Sequence, residues 1–163
     1  AHPDFLKPIV EHPNIRNSVR CLLINQDQEI CLLYSRARDY YAIPGGGIEP
    51  GESLLQTLSR ETLEETGYLL KKPKPIGNIH EKRYDGINTT FFFSAQPDKV
   101  LHPNYMPDEL EEDYILKWLS LPKALQIFQT VCNEQQLHNF PSYKGAFISY
   151  RFLELLQYFI KNM

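Results

Sequence analysis

"GGIEPGESLLQTLSRETLEETGY", Gly46 to Tyr68, begins in glycine and proline, runs from Glu52 to Thr66 without either, and meets glycine again at Gly67. The uninterrupted stretch predicts a helix of some four turns, and Gly67 suits its C-cap. The preceding "YYAIPGGGIEPGES" carries two prolines and four glycines and is expected to break all regular structure. Each helical residue advances about 100° around the axis, so Glu61, Glu64 and Glu65 share an arc of roughly 100°. Leu55, Leu58 and Thr62 occupy the adjoining arc, which is expected to turn to the core and hold the acidic edge at its rim. Like charges at such spacing cost a helix a few tenths of a kcal/mol per pair, so a cation should relieve them. Carboxylate oxygens are hard ligands of the kind Mg²⁺ takes alongside substrate phosphates.

Outward from this helix the chain reads as strands and further helices. "SVRCLLI" and "EICLLYS" flank the polar "NQDQ" as a hairpin. "KPIGNIHEKRY" and "NTTFFFSA" form a second hairpin, with the Asp-Gly step of "DGI" as its tight turn. "YILKWLSL" is another strand, followed by a short helix from about Pro122 to Thr130. The stretch 146–162 is a long helix with Phe147, Ile148, Phe152, Leu155, Leu156 and Phe159 on one face, expected to pack on a sheet. Residues 1–16 carry three prolines and no period, and read as an irregular arm. The pattern predicts an α/β (α+β) fold, a mixed sheet sandwiched between helices, in one domain over 1–163.

Composition excludes several functions. The net charge of −3 and scattered basic residues do not form the footprint of a nucleic-acid polymer binder. Cys21, Cys31 and Cys132 form no close pair of metal or redox type, and the first two sit in apolar strands as core residues. No apolar run approaches the length of a membrane span and no leader is evident, so a reducing cytoplasm is the expected location.

The spacing around the glutamates is specific. Gly46, Glu52, Arg60, Glu61, Glu64, Glu65 and Gly67 match all seven fixed positions of the Nudix box, and the chain resembles the Nudix hydrolase family. Chance would produce such a match on the order of once in a billion windows. Thr62 and Tyr68 depart from the aliphatic residues usual at their positions; a buried Thr62 is expected to bond back to the Leu58 carbonyl. The resemblance implies a Nudix-like α/β/α sandwich and hydrolysis of a nucleoside diphosphate linked to another moiety, with Mg²⁺ or Mn²⁺ as cofactor. It implies that Glu64 and Glu65 are metal ligands, that Glu61 is a ligand or the base that orients and deprotonates water, and that the Gly45 carbonyl is a further ligand. Arg60 is expected to hold neighbouring carboxylates by a charge-assisted fork, and Glu52 to bond Arg60. Family members draw one more carboxylate from outside the box, and Glu112 in "DELEEDY" is the choice here.

Substrate contacts are assigned to Arg36 and Arg38 for phosphate and to Tyr41 or Tyr84 for stacking on a base. A nucleoside triphosphate or related nucleotide is the default small-molecule partner. Tyr84, sixteen residues beyond the box, also raises a dinucleoside polyphosphate as substrate. A non-catalytic nucleotide sensor on the same fold is the reading from another class, disfavoured because every box carboxylate is present. No membrane partner is expected, and the chain is expected to be a monomer or homodimer.

Overall fold

The computed structural model describes residues 14–83, 86–100, 113–138 and 143–162. Seven strands and three helices occur among them, β1 Asn14–Leu23, β2 Glu29–Ser35, β3 Tyr40–Ala42, β4 Gly45–Gly47, α1 Leu54–Thr66, β5 Tyr68–Arg83, β6 Gly86–Val100, β7 Tyr114–Ser120, α2 Leu121–His138 and α3 Tyr143–Lys161. This is the α+β class expected. Two compact units form, one from Ala1–Cys21 with Pro44–Asn104 and the other from Leu22–Ile43 with Tyr105–Met163. Among the described residues no helix is long and apolar enough to cross a membrane.

The first unit holds a four-stranded sheet in the order β4-β1-β6-β5. β1 runs antiparallel to β4, with Ser18 opposite Gly47 and Arg20 opposite Gly45. β5 and β6 form a long antiparallel hairpin. A Cβ on Gly86 would run into the Asn14 carbonyl, and Ser18 Oγ lies 3.2 Å from Thr90 Oγ1, so β1 and β6 advance together and are parallel. The sheet is therefore mixed. The hairpin is longer than expected because Pro73 and Pro75 do not end β5: it is an edge strand with register shifts around those residues, where a missing N–H costs no ladder bond. Gly86 pairs with Arg83 in the ladder and so belongs to β6, and Asp85 of the expected Asp-Gly turn lies outside the described residues. Asn14–Arg16, expected to lie in the arm, open β1 instead, and the rest of the arm lies outside the described residues.

In the second unit β3, β2 and β7 form an antiparallel sheet. β1 and β2 do not form the predicted hairpin. Asn25 closes a tight turn with Glu29 and one bridge joins Ile24 to Ile30, but each strand pairs elsewhere. Ile30, Cys31, Leu32 and Leu33 are all buried, which accounts for the continuous apolar run of β2. α2 extends well past Thr130, and Phe128 meets Phe152 of α3 edge-on at 5.5 Å. Phe152, Leu155 and Leu156 are buried as the helical spacing predicts.

α1 begins two residues later than expected because Ser53 is its N-cap. Ser53 Oγ accepts from the Gln56 N–H at 3.1 Å while Gln56 Oε1 accepts from the Ser53 N–H at 2.8 Å, a complete capping box. Gly67 ends the helix in the left-handed region, φ 78°, with its N–H on the Leu63 carbonyl. Thr57, Leu58, Thr62, Glu65 and Thr66 are the buried face. Leu55, expected among them, is 49% exposed.

Candidate active site

The glutamates of α1 are brought to β4 by the glycines opposite them. Gly46 has no side chain because the Glu61 carboxylate occupies the space a Cβ would need. A Cβ on Gly45 would run into the Val19 carbonyl, and φ of 153° adds a second reason for glycine there. With the backbone this close, the Gly45 N–H donates to Glu65 Oε1 at 2.7 Å. Glu65 is buried, 5% exposed, rather than standing at the rim as the helical arc suggested. Burial of a carboxylate is costly without such a donor.

Arg60 ties the rest together. Its Nε and Nη2 donate to the two oxygens of Glu52 at 2.8 and 2.9 Å, the expected fork. Nη1 donates to Glu61 Oε1 at 2.9 Å and to Glu64 Oε2 at 3.4 Å, and Nη2 also reaches the Gly47 carbonyl at 3.3 Å. Glu52 further accepts from the Thr57 hydroxyl and the Glu49 N–H. One guanidinium thus spans three carboxylates contributed from the loop and two turns of helix. Hydrogen bonding from Arg60 holds the Glu52 carboxyl down at about 2, and the same bond raises the Arg60 guanidinium above its ordinary value.

A pH dependence follows. Because the folded-state pKa of Glu52 is depressed, its contribution to stability is present above the unfolded value of about 4.3 and is lost as pH falls from there towards 2. Thermal unfolding recorded from pH 5 to 2 is expected to show a falling Tm, with the fall reduced in Glu52→Gln. An identical slope in both proteins would contradict the fork.

Beneath the helix, Cys21 and Thr62 face each other. Burial pushes the Cys21 thiol up to about 12, so it is a core group and not a nucleophile. Thr62 Oγ1 does not bond back to Leu58 as expected; its partner in space is the Cys21 thiol. The back-bonding threonines are Thr57, to the Ser53 carbonyl at 3.1 Å, and Thr66, to the Thr62 carbonyl at 2.6 Å.

The remaining assignments separate. Arg36 is paired with Asp113, Nη2 to Oδ1 at 2.6 Å, in the second unit. Arg38 donates its N–H to Ser35 Oγ at 3.2 Å and its side chain is exposed. Tyr41 packs on Tyr34 with centroids 4.8 Å apart, and Lys117 Nζ donates to the Tyr41 hydroxyl at 3.2 Å. Tyr84 and Glu112 lie outside the described residues. The arginines that do flank β4 were not singled out from sequence: Arg20 Nη1 donates to the Gly45 carbonyl at 3.4 Å, and Arg16 Nη2 lies 3.9 Å from where a Cβ on Gly47 would sit. Their i, i+4 spacing along β1, which puts both on one face of a strand, was the available signal.

Four carboxylates and glycine carbonyls are the hard donors a divalent cation takes, and by donor chemistry these residues fit one. Among the described residues no three acidic side chains converge on one point, and the positive charge among Glu52, Glu61 and Glu64 is that of Arg60.

A family profile for the NUDIX domain matches residues 14–154, a span that draws on both units. The chain belongs to the Nudix family and is a hydrolase of acid anhydrides. One similar protein, from Bacillus subtilis (strain 168), bears the provisional name 8-oxo-dGTP diphosphatase; it is 29% identical over 119 residues, 73% of this chain and 75% of that protein. The MutT protein of Bacillus halodurans aligns with a TM-score of 0.57 and 27% identity over 69% of this chain and 72% of that one. The E. coli ORF135 protein shares the fold, with a TM-score of 0.60 at 20% identity and 91% coverage of both chains.

Proposed function

We propose that the chain hydrolyses a phosphoanhydride bond of a nucleoside triphosphate or related nucleotide with the aid of Mg²⁺ or Mn²⁺. The observation that carries this reading is the Arg60 hub, which fixes Glu52, Glu61 and Glu64 relative to the Gly45–Gly47 backbone where Glu65 is also bound. Glu61, Glu64 and Glu65, with the Gly45 carbonyl and Glu112, would hold the cation. When bound, it would neutralise phosphate oxygens that otherwise repel a nucleophile.

The chain's own residues supply the remainder. Arg60 holds Glu61 in one orientation, so that a Glu61 carboxylate oxygen can accept a proton from an attacking water. Glu52 anchors Arg60 and so acts through it. Arg16 and Arg20 beside β4 are better situated for substrate phosphates than Arg36, whose charge is taken by Asp113. The relatives named for 8-oxo-dGTP and for MutT support a nucleotide as substrate.

The test is a panel of nucleoside triphosphates, dinucleoside polyphosphates, ADP-ribose and nucleotide sugars with Mg²⁺ or Mn²⁺, scored by released phosphate or pyrophosphate. Metal-dependent release from a triphosphate is the expected result. Preference for a dinucleoside polyphosphate would favour the second substrate reading. Binding without release from any compound would leave a nucleotide sensor and overturn the enzymatic proposal.

A further inference from the structure

Glu65 is held at two places, and both lead to one residue of β1. The Gly45 N–H that donates to Glu65 Oε1 at 2.7 Å belongs to the same planar peptide group as the Pro44 carbonyl. In a trans peptide the two ends point opposite ways, and here the far end is also bound: the Pro44 carbonyl accepts from the Cys21 N–H at 2.8 Å. Bonds at both ends of one peptide polarise and strengthen each other. Gly45 lies so close to the Val19 carbonyl and the Arg20 backbone that the peptide has little room to rotate. The main chain of Cys21 thus aims the donor on which the buried Glu65 depends.

The Cys21 side chain leads to the second place. Arg20 stands opposite Gly45 where β1 pairs with β4, and side chains alternate along a strand, so the thiol turns to the face opposite the Arg20 guanidinium. There it meets the Thr62 hydroxyl of α1, with both residues fully buried. Thr62 precedes Glu65 by three residues on the buried face of the helix, so the two lie one above the other. Thr57 and Thr66 turn their hydroxyls back to helix carbonyls, whereas the Thr62 hydroxyl does not. Sulfur is a weak donor and a weak acceptor, and a hydroxyl set against it gives helix and strand a directional contact. The aliphatic residue usual at this position would supply packing, which has no direction.

We infer that Cys21 is a positioning residue for Glu65: its main chain aims the Gly45 N–H, and its thiol fixes, through Thr62, the turn of α1 that carries the carboxylate. The functional consequence rests on the metal role proposed for Glu65 above. Residues that orient a metal ligand from behind commonly cost about 10–100-fold in metal affinity when they are removed. Both routes converge on one hydrogen bond, and such bonds weaken steeply once distance or angle is lost. Loosening α1 at Thr62 is therefore read directly at the Gly45 N–H.

The experiment compares wild type with Cys21→Ala, Cys21→Ser, Thr62→Val and the Cys21→Ala/Thr62→Val double variant. Each is read by the Gly45 amide proton resonance in NMR, by calorimetric Mn²⁺ affinity and by Tm, with Glu65→Ala marking the resonance when the bond is absent. Cys21→Ala and Thr62→Val are each expected to move the Gly45 resonance towards that mark and to weaken Mn²⁺ about 10-fold. The double variant is expected to be no worse than the worse single one, because both remove the same contact. Cys21→Ser, which keeps a hydrogen-bonding group in place of the thiol, is expected to retain both wild-type values. A merely structural core pair would lower Tm in Cys21→Ala and leave the Gly45 resonance and Mn²⁺ affinity unchanged, which overturns the inference while the hydrolase reading stands. If wild type binds no Mn²⁺, the metal reading falls and the Gly45 resonance alone decides the positioning role. Should Cys21→Ala fail to fold, as judged by circular dichroism, Thr62→Val decides, since it keeps the volume of the side chain.

Discussion

Glu65→Gln is expected to lower turnover by about 10³-fold or more while leaving the protein folded. The Gly45 N–H presently donates to Glu65 Oε1, and the amide oxygen of glutamine can accept the same bond in the same place. What the substitution removes is one negative charge at a buried position. Packing and helix propensity are nearly unaffected, so the melting temperature should move little. Glu64→Gln should behave alike in turnover, since among the described residues Glu64 contributes a long bond to Arg60, whose loss costs the fold little. The assay is metal-dependent phosphate release, with circular dichroism as the control for folding. Full activity in both variants would refute the assignment of these carboxylates to the cation.

Gly45→Ala is expected to be the most destabilising single methyl that can be added to this loop. Its Cβ would meet the Val19 carbonyl and the backbone of Arg20, on the strand with which β4 must pair, and neither can move without breaking the ladder. The residue also has a φ of 153°, which alanine rarely adopts. A loss on the order of 3–5 kcal/mol follows, read as a fall in the denaturation midpoint. Gly46→Ala is the informative contrast. There the methyl meets only the end of the Glu61 side chain, which can swing aside. Stability should fall less, whereas activity should fall with the displaced Glu61. Equal destabilisation by both substitutions would contradict the close packing of helix on glycine backbone.

Most of what is local was legible in the sequence. The span from Glu52 to Gly67 encodes its own helix, its C-cap and the Arg60 fork, because these depend on spacing within one element. The capping box at Ser53 and Gln56 was equally present and would have given the true start. What pairs with what was less legible. "SVRCLLI" and "EICLLYS" look like partners because the turn between them is short, yet β1 joins β6 and β4 while β2 joins β3 and β7. Strand pairing is decided by burial on both faces, which a local pattern does not express.

The substrate contacts show the same division. Arg36 looked available until Asp113, distant in sequence, was seen to take its charge. Leu55 erred in the other direction: its angular position suits the core, yet it is exposed while Thr57, two residues on, is buried.

The α1 carboxylates, beside the β4 glycines, are the proposed seat of a divalent cation. Anomalous scattering from crystals grown with Mn²⁺ and a non-hydrolysable nucleotide measures this directly. The predicted result is a manganese peak against Glu61, Glu64 and Glu65, with the nucleotide phosphates beside it and Arg60 still forked on Glu52. A peak elsewhere in the molecule, or none at these carboxylates with nucleotide bound, would contradict it.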